Sequence, residues 1–331
     1  MLQWLKRKRE PDPAPTPAVT SEAMEEGIVW RAGTRLPIPD WRQQTWPDEG
    51  DDAALHRQAN GWAAAWLDAT SAALPTGYGR VESPNFMLLS ALAPRATTVL
   101  LDYLERSRKR VLATLRGIAA DHGHGKTVVM VFGDEETYYQ YIAHYGSESS
   151  QPEATSGGMF VDAGYGHFVF AQGPFETMEP VVVHELTHCL VRHLPIPAWL
   201  NEGLAVNTEH RFVPARPRYQ PQELQYLMGR FWDASTIQEF WSGKSFLRPD
   251  DGQPLSYELA KLLVQLLDKD YELLARFCEA ARYEDGGAAA AIEVLGVGLD
   301  ELAAVVLGPG SWKAEPGTWA DGTEKGQFRL A

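Results

Sequence analysis

The order of strand-like and helix-like segments predicts an α+β fold: a small mixed sheet with an edge hairpin and covering helices, followed by a mostly helical C-terminal subdomain. Three observations carry this. Short strand-like apolar runs end by Ala171. The last two of them flank the turn sequence Ala163-Gly164-Tyr165-Gly166. After Pro180 the apolar residues recur at helical spacing almost without interruption.

Taken in order, residues 1–27 are Pro-rich and charged and read as a disordered tail or tether. Residues 28–83 are Trp-rich, with Trp30, Trp41, Trp46, Trp62 and Trp66. Within them, residues 51–73 predict a helix, because Trp62, Ala65, Trp66 and Ala69 fall on one face. These tryptophans are expected to pack the segment onto the main domain, with a sugar- or peptide-binding surface as the lesser alternative. The main domain is read as residues 84–308. It opens with a strand over residues 86–92 and a long helix over 96–120, whose buried side carries Leu100, Leu101, Leu104, Val111, Leu115 and Ile118. A strand over 126–132 and a helix over 134–145 follow, the helix starting with acidic residues that suit a positive N-terminal dipole. Residues 158–162 and 167–171 form the hairpin. Near the end, Leu259, Leu262, Leu263, Leu266 and Leu267 trace a packed amphipathic helix, and helices are expected over 271–281, 288–295 and 299–307. Residues 309–331 read as an irregular tail.

Composition narrows the function. The chain has 331 residues, 44% of them hydrophobic, enough for a sizeable core. A formal net charge of -14 repels a phosphate backbone, so a nucleic-acid partner is not expected. Two cysteines, Cys189 and Cys278, argue against a secreted disulfide scaffold and fit a reducing compartment. The basic start Lys6-Arg7-Lys8-Arg9 leads into Glu10 and prolines rather than an apolar run, so no signal peptide is read. No apolar run approaches the ~20 residues that span a bilayer. The expectation is a cytoplasmic protein with no membrane partner.

The chemistry concentrates in His184-Glu185-Leu186-Thr187-His188. On a helix, residues i and i+4 share a face, so both imidazoles reach one ion. Glu185 is rotated by ~100° and reaches a metal-activated water rather than the metal. A cation acidifies that water, and the glutamate takes its proton and passes it to the leaving amine. A second helix candidate, Ile196 to Ala205, follows a short Pro-containing loop and lies antiparallel to the first. Glu202 on it is the best third ligand, with Gly203 expected to let the two helices approach closely. Glu209 shares its face and is the rival. A metzincin arrangement would place His at 194 and Gly at 191, where this chain has Leu194 and Val191.

The pair of motifs, H-E-L-T-H and P-A-W-L-N-E-G-L-A, resembles the gluzincin branch of zinc metallopeptidases, specifically the peptidase MA-like group. The upstream S-P-N-F-M-L-L-S and T-V-V-M-V-F runs, and the downstream S-Y-E-L-A-K-L-L-V-Q-L-L and G-V-G-L-D-E-L segments, are similar to that group as well. The resemblance covers roughly residues 84–308. It implies a zincin-like fold, a Zn2+ cofactor held by His184, His188 and Glu202, Glu185 as general base, and a peptide or protein substrate. It also implies that strand 158–162 pairs with an extended peptide, and that Tyr257, expected to open a helix, steadies the oxyanion. One departure stands out. Relatives of the thermolysin type carry an aspartate four residues after the third ligand, where this chain has Val206. The partner of the first histidine must then come from elsewhere. The competing function is a non-catalytic zinc-binding scaffold that holds a protein or peptide in its cleft. The presence of Glu185 favours the enzyme, because a scaffold needs ligands only.

Overall fold

The computed structural model of the chain describes residues 28–45, 51–145 and 157–319. The tail read over 1–27, Trp46, and the final residues from 320 lie outside this range.

The fold is mixed α and β, built on a five-stranded mixed sheet. Its strands are β1 (Gly79–Glu82), β2 (Phe86–Ser90), β3 (Thr127–Phe132), β4 (Gly158–Asp162) and β5 (Gly166–Ala171), in the order β1-β2-β3-β5-β4. The central three are parallel, and the two edge strands run antiparallel to their neighbours. The central strands are buried on both faces, which is why they read as continuous apolar runs rather than alternating ones. Alternate residues feed two cores. Phe86, Leu88, Val129, Val131, Phe168 and Phe170 face one. Met87, Leu89, Val128, Met130, Phe132 and Val169 face the other.

The second of these cores is closed by α1 (Asp52–Ala73) and α3 (Glu135–Ile142). Asp51 and Asp134 cap the two helices, accepting from Ala53 and Thr137 backbone N–H groups. Trp41, Trp62 and Trp66 are buried here. Trp66 donates its indole N–H to the Pro37 carbonyl at 3.0 Å and meets Trp41 edge-to-face. Trp41, Trp62 and Trp66 therefore pack the segment against the sheet.

On the other face lie α2 (Pro94–Thr114) and α4 (Phe175–Val191). The expected helix over 96–120 stops at Thr114. Leu115 caps it with ψ 42°, and Gly117 at φ +86° turns the chain onward, while Leu115 and Ile118 remain buried. Conversely α4 starts five residues before Pro180, so that proline is internal rather than a boundary. The bond it cannot donate would have ended on the Glu176 carbonyl, in the exposed first turn, where a missing helix bond costs least.

Beyond α4 everything regular is helical: α5 (Ala198–Phe212), α6 (Pro221–Phe231), α7 (Thr236–Trp241), α8 (Gly252–Leu267), α9 (Tyr271–Ala280), the short α10 (Ala288–Ala290) running into a π turn, and α11 (Leu299–Leu307). Strand β1 and helices α6 and α7 have no counterpart in the sequence reading. Strand β1 and the six-residue α7 are too short to show a period, whereas α6 carries Leu224, Leu227, Met228 and Phe231 at i, i+3, i+4 and i+7, a helical signal the reading passed over. Among the described residues no helix is long and apolar enough to cross a membrane.

Candidate metal centre

Helix α4 is wrapped in apolar side chains: Val182, Val183, Leu186 and Leu190 are all buried in the core that also holds Phe160, Phe168 and Phe170. A polar side chain on such a helix pays for desolvation unless it has a partner. His184, Glu185 and His188 sit there nonetheless. Pro195 and Pro197 turn the chain after α4, and α5 returns alongside it with Glu202 buried in the shared interface.

The result is a convergence of three side chains. His184, His188 and Glu202 each offer an atom, and these atoms lie within 4.8 Å of one another. Glu202 Oε2 is 3.3 Å from His184 Nε2 and 3.6 Å from His188 Nε2. Two ligands of one tetrahedral zinc ion, each about 2.0–2.1 Å from it, stand roughly 3.3–3.4 Å apart. The two distances from Glu202 to the histidines are close to that spacing. His188 Nε2 and Glu202 Oε2 are also buried with no hydrogen-bond partner. Unsatisfied buried atoms cost on the order of 1–3 kcal/mol each, and here they point together. A divalent cation satisfies both.

The far side of each imidazole is held. His188 Nδ1–H donates to Asn201 Oδ1 at 3.0 Å, and His184 Nδ1–H donates to Glu209 Oε2 at 3.0 Å. Both bonds turn Nε2 inward; on the neutral His188 ring this leaves a lone pair for a metal, and on His184 a metal would take the place of the proton that Glu202 attracts. Glu209, the rival third ligand in the sequence, thus stands behind His184 and outside the converging group. It supplies the partner that Val206 cannot, two turns beyond Glu202 instead of one. Asn201, one residue before Glu202, was not singled out from sequence. Its position beside the ligand was the available signal.

Electrostatics fit the same arrangement. Burial pushes the His188 imidazole down to about 4, against the opposing pull of Glu202, so the ring is neutral at physiological pH. His184 is also disfavoured as a cation by burial, but the adjacent Glu202 and Glu209 carboxylates override this and raise it well above its usual range. The pocket between these two carboxylates favours positive charge. Burial, followed by the charge of Glu202, raises the Glu185 carboxyl to about 8, with His184 and the Phe160 backbone N–H opposing.

Strand β4 reaches the centre through Glu185. The carboxyl accepts from Phe160 N–H, and its Oε2 is buried without a hydrogen-bond partner. Gly158 lies directly on α4, where a Cβ would stand 2.5 Å from Val181 Cγ1 and 3.2 Å from Glu185 Oε1. A side chain at 158 would push the edge strand off the helix.

Tyr257 does not open its helix. α8 begins at Gly252, whose N–H is taken by Asp250, and Pro254 is tolerated in the first turn, so Tyr257 falls in the second. Its half-buried ring meets Phe246 edge-to-face. Burial and then the carboxylates of Glu202, Glu185 and Glu209 raise its phenol well above the ordinary value. It stays a proton donor, within electrostatic reach of all three acids. Gly203 likewise serves a different neighbour from the one expected. It faces α8, where a Cβ would meet Val264 and the Ala260 carbonyl, rather than α4.

The remaining conspicuous groups lie apart. Cys189 is buried beside Thr127 Oγ1 at 3.8 Å, and both cysteines are free thiols. His122 and His124 occupy a turn whose Gly123 and Gly125 have positive φ, tied to the end of α4 by the Arg192 guanidinium on the His122 carbonyl. Neither a family model nor a curated protein sequence matches this chain.

Proposed function

We propose that the chain is a zinc-dependent hydrolase of the gluzincin type, with a zincin-like domain that cleaves peptide bonds. The observation that carries this is the convergence of His184, His188 and Glu202 around buried, unpartnered atoms, with Glu185 beside them on the same helix. A bound zinc ion supplies Lewis acidity towards the peptide carbonyl and towards water.

The chain's own residues do the rest. Glu185 is one residue from the first ligand, so its carboxyl faces the reacting water without occupying a ligand position. With a bound cation offsetting the burial and the acidic neighbours that raise it, this carboxyl would be ionised, take the proton as the carbonyl is attacked and return it to the leaving amine. Phe160 N–H holds that carboxyl in place. Asn201 and Glu209 hold the two imidazoles by their Nδ1–H groups. The Tyr257 phenol, kept protonated by burial and by the nearby acids, donates to the oxyanion developing on the substrate carbonyl. Burial of the centre keeps bulk water from screening these interactions.

The test pairs activity with metal content. Wild type and Glu185→Gln are purified, their zinc measured, and both incubated with a library of internally quenched peptides. Glu185→Gln should keep its zinc and lose roughly 10²–10⁴-fold in turnover. Undiminished cleavage by that variant removes Glu185 from the mechanism. A wild type that holds zinc but cleaves no peptide shifts the assignment to a zinc-binding scaffold.

A further inference from the structure

We infer that Gly203 is a positioning residue: by letting α8 close onto α5, it sets how far the Tyr257 phenol stands from the metal centre. The inference rests on the hydrolase reading above, in which Tyr257 is the oxyanion donor.

Gly203 occupies the second turn of α5, directly after the ligand Glu202. Glycine is a poor helix former, so its place inside a helix calls for a packing reason. The neighbouring helix supplies one. A Cβ at 203 would lie 2.5 Å from Val264 Cγ2 and 2.7 Å from the Ala260 carbonyl oxygen. The first contact is with a side chain that has some freedom to turn. The second is with the backbone of α8 and is relieved only if the helix itself moves.

The same face of α8 carries the phenol. Tyr257, Ala260 and Val264 are spaced i, i+3 and i+7, one stripe of the helix. Whatever sets the distance from Ala260 and Val264 to α5 therefore sets the distance of Tyr257, one turn along. An independent tie holds the two backbones in register. Asn207 Nδ2 donates to the Gly203 carbonyl at 2.7 Å and to the Lys261 carbonyl at 3.0 Å, stapling α5 to α8. The histidines belong to a different helix and do not depend on this contact. Displacing α8 thus separates the phenol from the centre while the ligands stay assembled.

The experiment compares zinc-loaded wild type with Gly203→Ala, Tyr257→Phe and the double variant. Crystal structures of wild type and Gly203→Ala should show α8 displaced from α5, the Tyr257 hydroxyl moved outward with it, and His184, His188 and Glu202 in place. Zinc content should match wild type. Against the quenched peptides, kcat of Gly203→Ala should fall about 10²-fold, the scale of a small misplacement of a catalytic group, with little change in KM. The double variant should be no slower than Tyr257→Phe alone, because the phenol is already lost. Three results overturn the inference: Tyr257 unmoved in the Gly203→Ala structure, zinc lost from that variant, or losses that multiply in the double variant. Should Gly203→Ala not fold alone, Gly203→Ala/Val264→Ala removes the side-chain half of the clash and keeps the backbone half. A wild type without peptidase activity defeats the hydrolase reading but leaves the crystallographic comparison to decide the role of Gly203.

Discussion

Two buried histidine clusters lie on opposite faces of the same sheet, and they are built in opposite ways. On the Trp-rich face, His167 is fully buried with both ring nitrogens paired. Its Nδ1–H donates to the Tyr165 carbonyl at 2.9 Å, its Nε2 accepts from the Tyr141 hydroxyl at 2.7 Å, and Tyr141 is 3.2 Å from the Tyr145 hydroxyl. The Trp66 ring closes one side at 4.8 Å. Every polar atom of the imidazole is used. On the other face, His184 and His188 are equally well anchored through Nδ1, yet His188 Nε2 and Glu202 Oε2 are left over. Burial alone does not separate the two, since it pushes both His167 and His188 down to about 4. What separates them is satisfaction. A buried ring whose nitrogens are both paired needs no further partner, whereas buried atoms that converge unpaired leave room for a ligand.

The largest effect tests that contrast directly. Wild type should carry about one zinc per chain after metal loading and desalting. His184→Ala and His188→Ala should carry essentially none, because each removes a ligand outright, whereas His167→Gln should keep the wild-type amount. Elemental analysis of the four proteins suffices. Full zinc in either ligand variant, or its loss from His167→Gln, would break the comparison.

A smaller effect, with its own pH signature, belongs to His167. Its folded pKa of about 4 lies below the ordinary 6.5, so the folded state binds fewer protons than the unfolded one. The stabilisation from a neutral His167 is complete above pH 6.5 and is lost as pH falls from about 6.5 towards 4. The drop from 6.5 to about 4 corresponds to about 3 kcal/mol in total. Urea unfolding of wild type and His167→Gln across that window isolates it, since carboxylate titrations are common to both. The stability gap between the two proteins should shrink towards pH 4 by about that amount. A gap independent of pH would show that His167 does not titrate on unfolding.

Why one cluster was legible in the sequence and the other was not follows from spacing. His184, Glu185 and His188 sit within five residues on one helix, so their shared face follows from helical geometry, and Glu202 lies one short loop away. The central strands announced themselves as apolar runs because both of their faces are buried. His167, by contrast, meets Tyr141 and Trp66 only through the fold, across 26 and about a hundred residues of chain. The same limit hid the partner of Gly203. The sequence places it beside Glu202, but that it faces Ala260 and Val264 is a property of how α8 returns. Strand β1, with four mostly exposed residues, has no apolar signal to read. Tyr257 was misplaced by one turn, because the cap set by Asp250 is a local hydrogen bond that apolar periodicity does not register.

The smallest effect sharpens the comparison within the metal centre itself. Glu209 and Glu202 both reach His184, at 3.0 Å on Nδ1 and 3.3 Å on Nε2, and only their side of the ring tells ligand from support. If Glu202 is the ligand, Glu202→Ala should weaken zinc binding far more than Glu209→Ala. Removing a carboxylate that only orients a ligating histidine costs about 10–100-fold in metal affinity. Glu209→Gln refines this further. Its amide oxygen can still accept from Nδ1–H, so the ring keeps its tautomer while the negative charge is gone. Zinc affinity of the glutamine variant should therefore lie between wild type and Glu209→Ala, and competition with a chromophoric chelator measures all four proteins on one scale. Equal losses for Glu202→Ala and Glu209→Ala would make Glu209 a ligand in its own right. A Glu209→Ala protein with wild-type affinity would mean that Nδ1 needs no carboxylate behind it, and that packing alone holds His184 in place.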